Sequence, residues 1–321
     1  KMDFSLLFEN LTNPALLYFI LGIIAVCLKS DLEIPNNSSK FISLYLLFAI
    51  GFKGGQELSH ETINSEIIWS MLFGISIAII IPLYTFFILK RKLNVYDAGA
   101  IAAAYGSISA VTFVTAVSYL ESHQLALHGY MVAIMALMES PAIIVGLVLI
   151  SIFNKEKTQK INKTEILRHS FTNGSVLLIL GSLVIGYLTS AKEAQGIQPF
   201  TNDLFKGFLA IFLLDMGITS GKKLKSFFAH GWFPFAFALL IPLVNGGAFA
   251  WLSGFVTDDV SNRFIFAILA ASASYIAVPA AMKITVPKAN PGLFLPMALA
   301  ITFPVNITIG MPIYFHIVQH F

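Results

Sequence analysis

The chain has 321 residues, 57% of them apolar and only 12% charged, with 29 Phe and a mean hydropathy of +0.80, a balance that excludes a soluble globular domain and marks a polytopic membrane protein. Its net charge of +3 comes without a long basic run, which excludes a nucleic-acid binder, because phosphate recognition needs Lys and Arg clustered on a solvated face. The lone Cys27 lies in an apolar run and excludes both an intrachain disulfide and a cysteine-based metal centre.

A helix needs about 20 residues to cross roughly 30 Å of hydrocarbon. Ten runs in chain order are read as such spans: 14–28, 41–58, 67–89, 98–119, 130–153, 174–190, 203–221, 233–256, 263–283 and 292–318. The first lacks the features of a cleaved signal and is expected to be a retained helix. Lys and Arg mark cytoplasmic loops. With the N-terminus outside, fifteen of the 20 basic residues fall inside, and both termini are extracytoplasmic. The polar stretch 154–170, NKEKTQKINKTEILRHS, then becomes a cytoplasmic linker between halves 1–153 and 171–321.

Span 2 carries Gly51 and Gly55, a spacing that suits close helix packing, and Gly217 and Gly221 repeat it in span 7 at an offset of 166 residues. Ser107 and Ser109 of span 4 correspond to Ser272 and Ser274 of span 9 at an offset of 165, and Glu139-Ser-Pro141 to Thr302-Phe-Pro304 at 163. Five spans per copy is an odd number, so the second copy enters the membrane from the opposite face. Inverted repeats of this kind occur in secondary transporters, with the site near the midplane on interrupted helices.

Span 4 has glycine and serine at its centre, in AAYGSISAVTFVTA at 103–116. Gly106 lies nine residues from Asp97, and Ser272 nine from Arg263. At 1.5 Å per residue both breaks are expected about 14 Å deep. Each break would expose the N-terminus of a second half-helix. Two such positive dipole ends make an anion site without a buried lysine, and serine hydroxyls can serve an oxyanion or a cation.

In span 5, Glu139 is an ionisable group deep in the membrane, where such groups are usually functional. Pro141 removes the hydrogen bond to the Leu137 carbonyl, and the oxygen atoms so gathered suit sodium. Pro304 does the same for the Ala300 carbonyl, with Asn306 a further cation ligand. Asp215 in span 7 is a lesser candidate for a cation, a proton or a lysine partner. His123, His128 and Glu121 share a predicted external loop without a convergent third ligand, so no metal centre beyond sodium is expected. The chain has no HExxH, no GxGD pair and no serine with an evident histidine partner, and an intramembrane hydrolase is not expected.

The segments YGSISAVTF, LMESPAI, AILAASASYIAVPAA and VPKANPG resemble the sodium-dependent bicarbonate transporters first recognised in cyanobacteria. The resemblance implies an all-α fold of ten transmembrane helices in two inverted five-helix repeats, with helices 4 and 9 broken. It further implies a homotrimer in the bacterial inner membrane, sodium as coupling ion with no other cofactor, and a PII-like regulatory protein on the cytoplasmic face. By position, Gly106, Ser107, Ser109, Ala110 and Thr112, with Ser272, Ala273, Ser274 and Tyr275, fall on the substrate site. Ser107, Ser109, Glu139, Ser274 and Asn306 are the cation candidates. The chain departs from the cyanobacterial pattern at Tyr275, where that pattern has Asp, and at Glu139, where it has the shorter acid. The expected function is import of bicarbonate, or a similar small anion, in symport with sodium. A proton-coupled carrier and a channel are the alternatives.

Overall fold

The structure is a computed structural model that describes residues 14–62, 64–154, 174–227 and 231–321. It is 83% helical, with no strand among the described residues. In chain order the helices are α1 (Pro14–Cys27), α2 (Asn36–His60), α3 (Ser65–Leu89), α4 (Val95–Gly106), α5 (Ala110–Ser122), α6 (Gly129–Phe153) and α7 (Gly174–Leu188). There follow the single turn α8 (Ala191–Ala194), then α9 (Phe205–Phe227), α10 (Trp232–Leu252), α11 (Val260–Ala271), α12 (Ala277–Thr285) and α13 (Pro291–His320). Residues 155–170 of the expected linker lie outside the described residues.

Among the described residues six segments are long and apolar enough to cross a membrane, beside the ten spans expected: α3, α4 with α5, α6, α9 with the turn before it, α10 and α13. The shortfall has physical causes. At 14 residues, α1 reaches only about 21 Å. The 25 residues of α2 are long enough, but they include Lys40, Lys53, Gln56 and Glu57. The apolar part of α7 is short, and α11 stops at Ala271 because the chain breaks there.

Side-chain caps set several helix starts. Asn64 accepts from the N–H of Ile67, Asn94 from Asp97 at 2.9 Å, Ser109 from Thr112 at 3.2 Å, Asp259 from Asn262 at 2.8 Å and Asn290 from Gly292 at 2.9 Å. Helix ends are met differently. Arg263 is buried without a carboxylate partner, and its guanidinium donates to the Ala250 carbonyl at 3.1 Å and the Val318 carbonyl at 3.3 Å. One cation thus answers the negative C-terminal ends of both α10 and α13. Sequence reading gave no hint of the π-helical segments Met297–Thr302 and Asn306–Gly310 within α13.

Helices pack backbone to backbone at several places, α6 on α2 among them, where a Cβ on Gly129 would lie 2.1 Å from the Gly54 carbonyl oxygen. A Cβ on Gly55 would lie 2.1 Å from the Leu183 carbonyl oxygen of α7, and one on Gly186 only 2.2 Å from that of Phe52 in α2. Likewise α1 meets α9, where a Cβ on Gly217 would lie 2.1 Å from the Phe19 oxygen. Inside a bilayer, where lipid is as apolar as leucine, such close approach is a main source of helix association. The remaining long helices, α3 to α6 and α10 to α13, form a second body around the two chain breaks.

Gly55→Leu should force α2 and α7 apart, costing about 1–3 kcal/mol or more. Thermal melting in detergent should show a clear loss for this variant. Gly247→Ala, whose Cβ would find nothing closer than Ile317 at 3.7 Å, should melt close to the unaltered protein.

Candidate functional site

α4 ends at Gly106, and 107–109 run in extended conformation before Ser109 caps α5. Gly106 is required by Pro82 of α3, whose ring would lie 2.3 Å from any Cβ placed there. On the other side α11 ends at Ala271, Ser272 is extended, and α12 starts at Ala277. The two interruptions therefore fall where the serine pairs led sequence reading to expect them.

The breaks cross and bond to one another. The Ser274 N–H donates to the Ala104 carbonyl at 2.8 Å, and the Ser109 N–H donates to the Ser272 hydroxyl oxygen at 3.1 Å. Ser272 in turn donates to the Leu269 carbonyl at 3.0 Å, and Ser274 accepts from the Val278 N–H at 3.3 Å. The serines were expected to offer their donors to a ligand. Ser109 and Ser274 instead spend their N–H groups on the crossing and their hydroxyl oxygens on caps, while the first N–H groups of α5 and α12 lack intrahelical acceptors by helix geometry.

Beside the crossing lies a cavity of about 30 Å³ lined by Ile108, Ser109, Ala110, Glu139, Ser274, Tyr275, Ile276 and Ala277. That is room for a water molecule or a bare cation. Its polar wall is one carboxyl group, two serines and a tyrosine; among the described residues no lysine or arginine lines it. Among the described residues two hydroxyls at the crossing have no partner at hydrogen-bond geometry: that of Ser107, which is fully buried, and that of Tyr275, which has Ser109 as its polar neighbour. The Tyr275 ring is held edge-on against Phe303, with centroids 6.3 Å apart.

The structure thus brings Ser109, Ala110, Glu139, Ser274 and Tyr275 of the expected site to one cavity. Gly106, Ser107, Thr112, Ser272 and Ala273 are buried behind it. Asn306, expected as a cation ligand, does not line this cavity and braces the broken end of α11. Its amide donates to the Ala271 carbonyl at 2.7 Å, closing the broken end of α11, and its oxygen accepts from the Tyr314 hydroxyl at 3.1 Å. Tyr314 reaches the Pro242 carbonyl at the same distance, 3.1 Å. Ser39 of α2 donates to the Asp215 carboxylate, which also feels the charge of Lys222 further along α9. Ile108, Ile276 and Ala277 were missed, since apolar residues beside a break carry no signal of their own.

The loop residues weighed for metal binding separate. Glu121 pairs with Lys53 at 2.7 Å, His123 stacks on Tyr119 with centroids 4.4 Å apart, and His128 lies between Glu61 and Asp259.

Residues 14–319 match the model of a family described as the Na+-dependent bicarbonate transporter superfamily. No curated protein matches the chain.

Asn306→Leu should orphan the buried Ala271 carbonyl, at a penalty of about 1–3 kcal/mol. The expected outcome is a lowered melting temperature together with faster hydrogen exchange at the α11 end. Asn306→Asp, which keeps the acceptor for Tyr314 but loses the donor, should fall on the same side.

Proposed function

Because the chain belongs to the Na+-dependent bicarbonate transporter superfamily, we propose that it imports bicarbonate in symport with sodium across a bacterial cytoplasmic membrane. The observation that carries this reading is the crossing of the two chain breaks beside a cavity that holds Glu139 and no basic side chain. Half-helix N-termini favour an anion there, with the Ser107 and Tyr275 hydroxyls as free donors. Sodium takes the oxygen side of the site: Glu139 and the hydroxyls of Ser109 and Ser274.

In this reading the fold is ten spans in two inverted repeats, three copies assemble, both termini face outward, and the linker around 154–170 faces the cytoplasm. Alternating access comes from the broken-helix body moving against the scaffold of α1, α2, α7 and α9. The glycine-mediated packing of α2 on α7 and α1 on α9 supports treating those four as one unit.

One observation favours a second reading. Glu139 faces the cavity with no cationic side chain beside it, so a proton would serve as well as sodium to neutralise it.

Radiolabelled bicarbonate uptake into proteoliposomes separates the two. Accumulation should rise at least several-fold with an inward sodium gradient at fixed pH, and Ser107→Leu or Ser274→Leu should abolish it without loss of folded protein. Uptake that follows a pH gradient and ignores sodium selects proton coupling. Absence of bicarbonate uptake by folded protein removes that substrate.

A further inference from the structure

On the face where α2 and α5 end and α6, α9 and α11 begin, ionic contacts join the scaffold to the broken-helix body. Lys53 of α2 lies 2.7 Å from one Glu121 oxygen, and Lys206 of α9 lies 3.9 Å from the other. Past the end of α2, a Glu61 oxygen accepts from the Gly129 N–H at 3.2 Å and lies 3.2 Å from His128 Nδ1. The other ring nitrogen, His128 Nε2, lies 3.5 Å from a carboxylate oxygen of Asp259, the cap of α11.

A neutral imidazole donates one hydrogen bond; only the imidazolium donates two. With a carboxylate at each nitrogen, this geometry calls for the charged ring. The remaining wall sharpens the demand. A polar cavity of about 370 Å³ opens here, lined also by His60 at the end of α2, Glu66 of α3, Tyr130 of α6 and Asn262 of α11. Glu66 accepts from the Thr257 hydroxyl, and Tyr130 accepts from the Asn262 amide at 2.6 Å. Two acceptors stay buried and unpartnered, Glu61 Oε2 and Asn262 Oδ1, with Asn262 only 1% exposed. The surroundings hold three carboxylates and unused oxygen, and His128 is the cation placed to answer them.

We propose that this cluster is a proton-binding regulatory site in which the His128 imidazolium ties the α2–α3 turn to the start of α11 and latches this face of the transport pathway shut. Loss of the proton leaves one of its two bonds unmade and sets Glu61, Glu66 and Asp259 against one another. The inference rests on the scaffold-against-body motion of the transport reading; it does not depend on the transported ion.

The direction of the pH effect follows. The hydrogen bond to Asp259 raises the His128 pKa to about 9, against the opposing effect of burial, with the charges of Asp259 and Glu61 adding to the rise. Asp259 itself is held below its usual value: burial opposes this, but bonds from His128 and the Asn262 N–H outweigh it. Released from the latch, the ring returns toward its ordinary value of about 6.5. A pKa raised in the latched state means that the stabilisation is fully present below about pH 6.5 and is lost as pH rises through about 9.

Spin labels at Ser59 on α2 and Phe255 just before α11, in a Cys27→Ser background in lipid nanodiscs, read the latch as a distance. One short distance is expected at pH 6.5, with a longer population growing several-fold by pH 9.5. His128→Gln should show the long population already at pH 6.5 and lose the pH response. Glu61→Gln keeps an acceptor for the Gly129 N–H but not the charge, and should move the midpoint to lower pH even if the His128 variant does not fold. A distribution that ignores pH, a midpoint unmoved by either substitution, or one moved instead by His60→Gln overturns the latch. The distance needs no transport, so failed bicarbonate uptake leaves the latch standing, and a flat distance profile with normal uptake removes the latch alone.

Discussion

Inside a bilayer every backbone N–H and C=O must find its partner within the protein, and a helix that stops in mid-membrane leaves up to four of each without one. Here two interrupted helices meet that demand partly through each other. Ser274 donates its N–H to the Ala104 carbonyl, and Ser109 donates its own to the Ser272 hydroxyl, at 2.8 and 3.1 Å. The surrounding helices serve this crossing. Pro82 packs where a Cβ on Gly106 would be, and Asn306, held by Tyr314, closes the carbonyl end at Ala271. The crossing leaves the hydroxyls of Ser107 and Tyr275 unspent, together with the first-turn N–H groups of α5 and α12 other than those of Thr112 and Val278, which Ser109 and Ser274 cap.

The interfaces around this centre are of two physical kinds. Between α1 and α9, and between α2 and α7, backbones touch through glycine, and any sliding would meet carbonyl oxygens at about van der Waals contact. Between that scaffold and the broken-helix body lie the polar links Lys53 to Glu121 and Glu61 to His128, while Ser39 to Asp215 joins α2 to α9 within the scaffold. Glycine contacts resist separation, and Gly129 of α6 against Gly54 of α2 is one that joins the two bodies directly, while the polar links at the wet face exchange more readily with water. Any relative motion of the two bodies has to keep or break that glycine contact.

Much of this was readable in advance, and the reasons differ from place to place. Apolar content fixed the all-helical membrane character, and Gly106 with the paired serines located both breaks, because glycine and serine at the centre of an apolar run disturb a regular pattern. Glu139 stood out because a carboxylate among Leu and Met is costly unless used. Span number was less legible. The polar residues of α2 and the shortness of α1, α7 and α11 leave six segments among the described residues that qualify by length and composition, beside the ten runs read from hydropathy. The residue type of Asn306 fits a cation ligand as well as a brace, and only the Ala271 carbonyl that it faces reveals the brace. The His128 pairing joins Glu61 and Asp259 across 67 and 131 positions, contacts that no local pattern encodes.

The composition of the cavity argues for coupling in general before it argues for a particular ion. Glu139 lies on its wall, and no Lys or Arg lines it. Two like charges 5 Å apart at an effective dielectric of 20 repel by about 3 kcal/mol. An anion entering beside an ionised Glu139 would meet a penalty of that order, against dipole contributions of about 0.3–2 kcal/mol from a helix terminus. The balance turns favourable only when the carboxylate is neutralised, by sodium among the serine oxygens or by a proton. Tyr275 adds a neutral donor and no negative charge to the crossing, so a single monovalent cation would suffice to neutralise the wall. In the proposed reading, coupling follows from placing a carboxylate, with no Lys or Arg among the described lining residues, where the two broken helices cross.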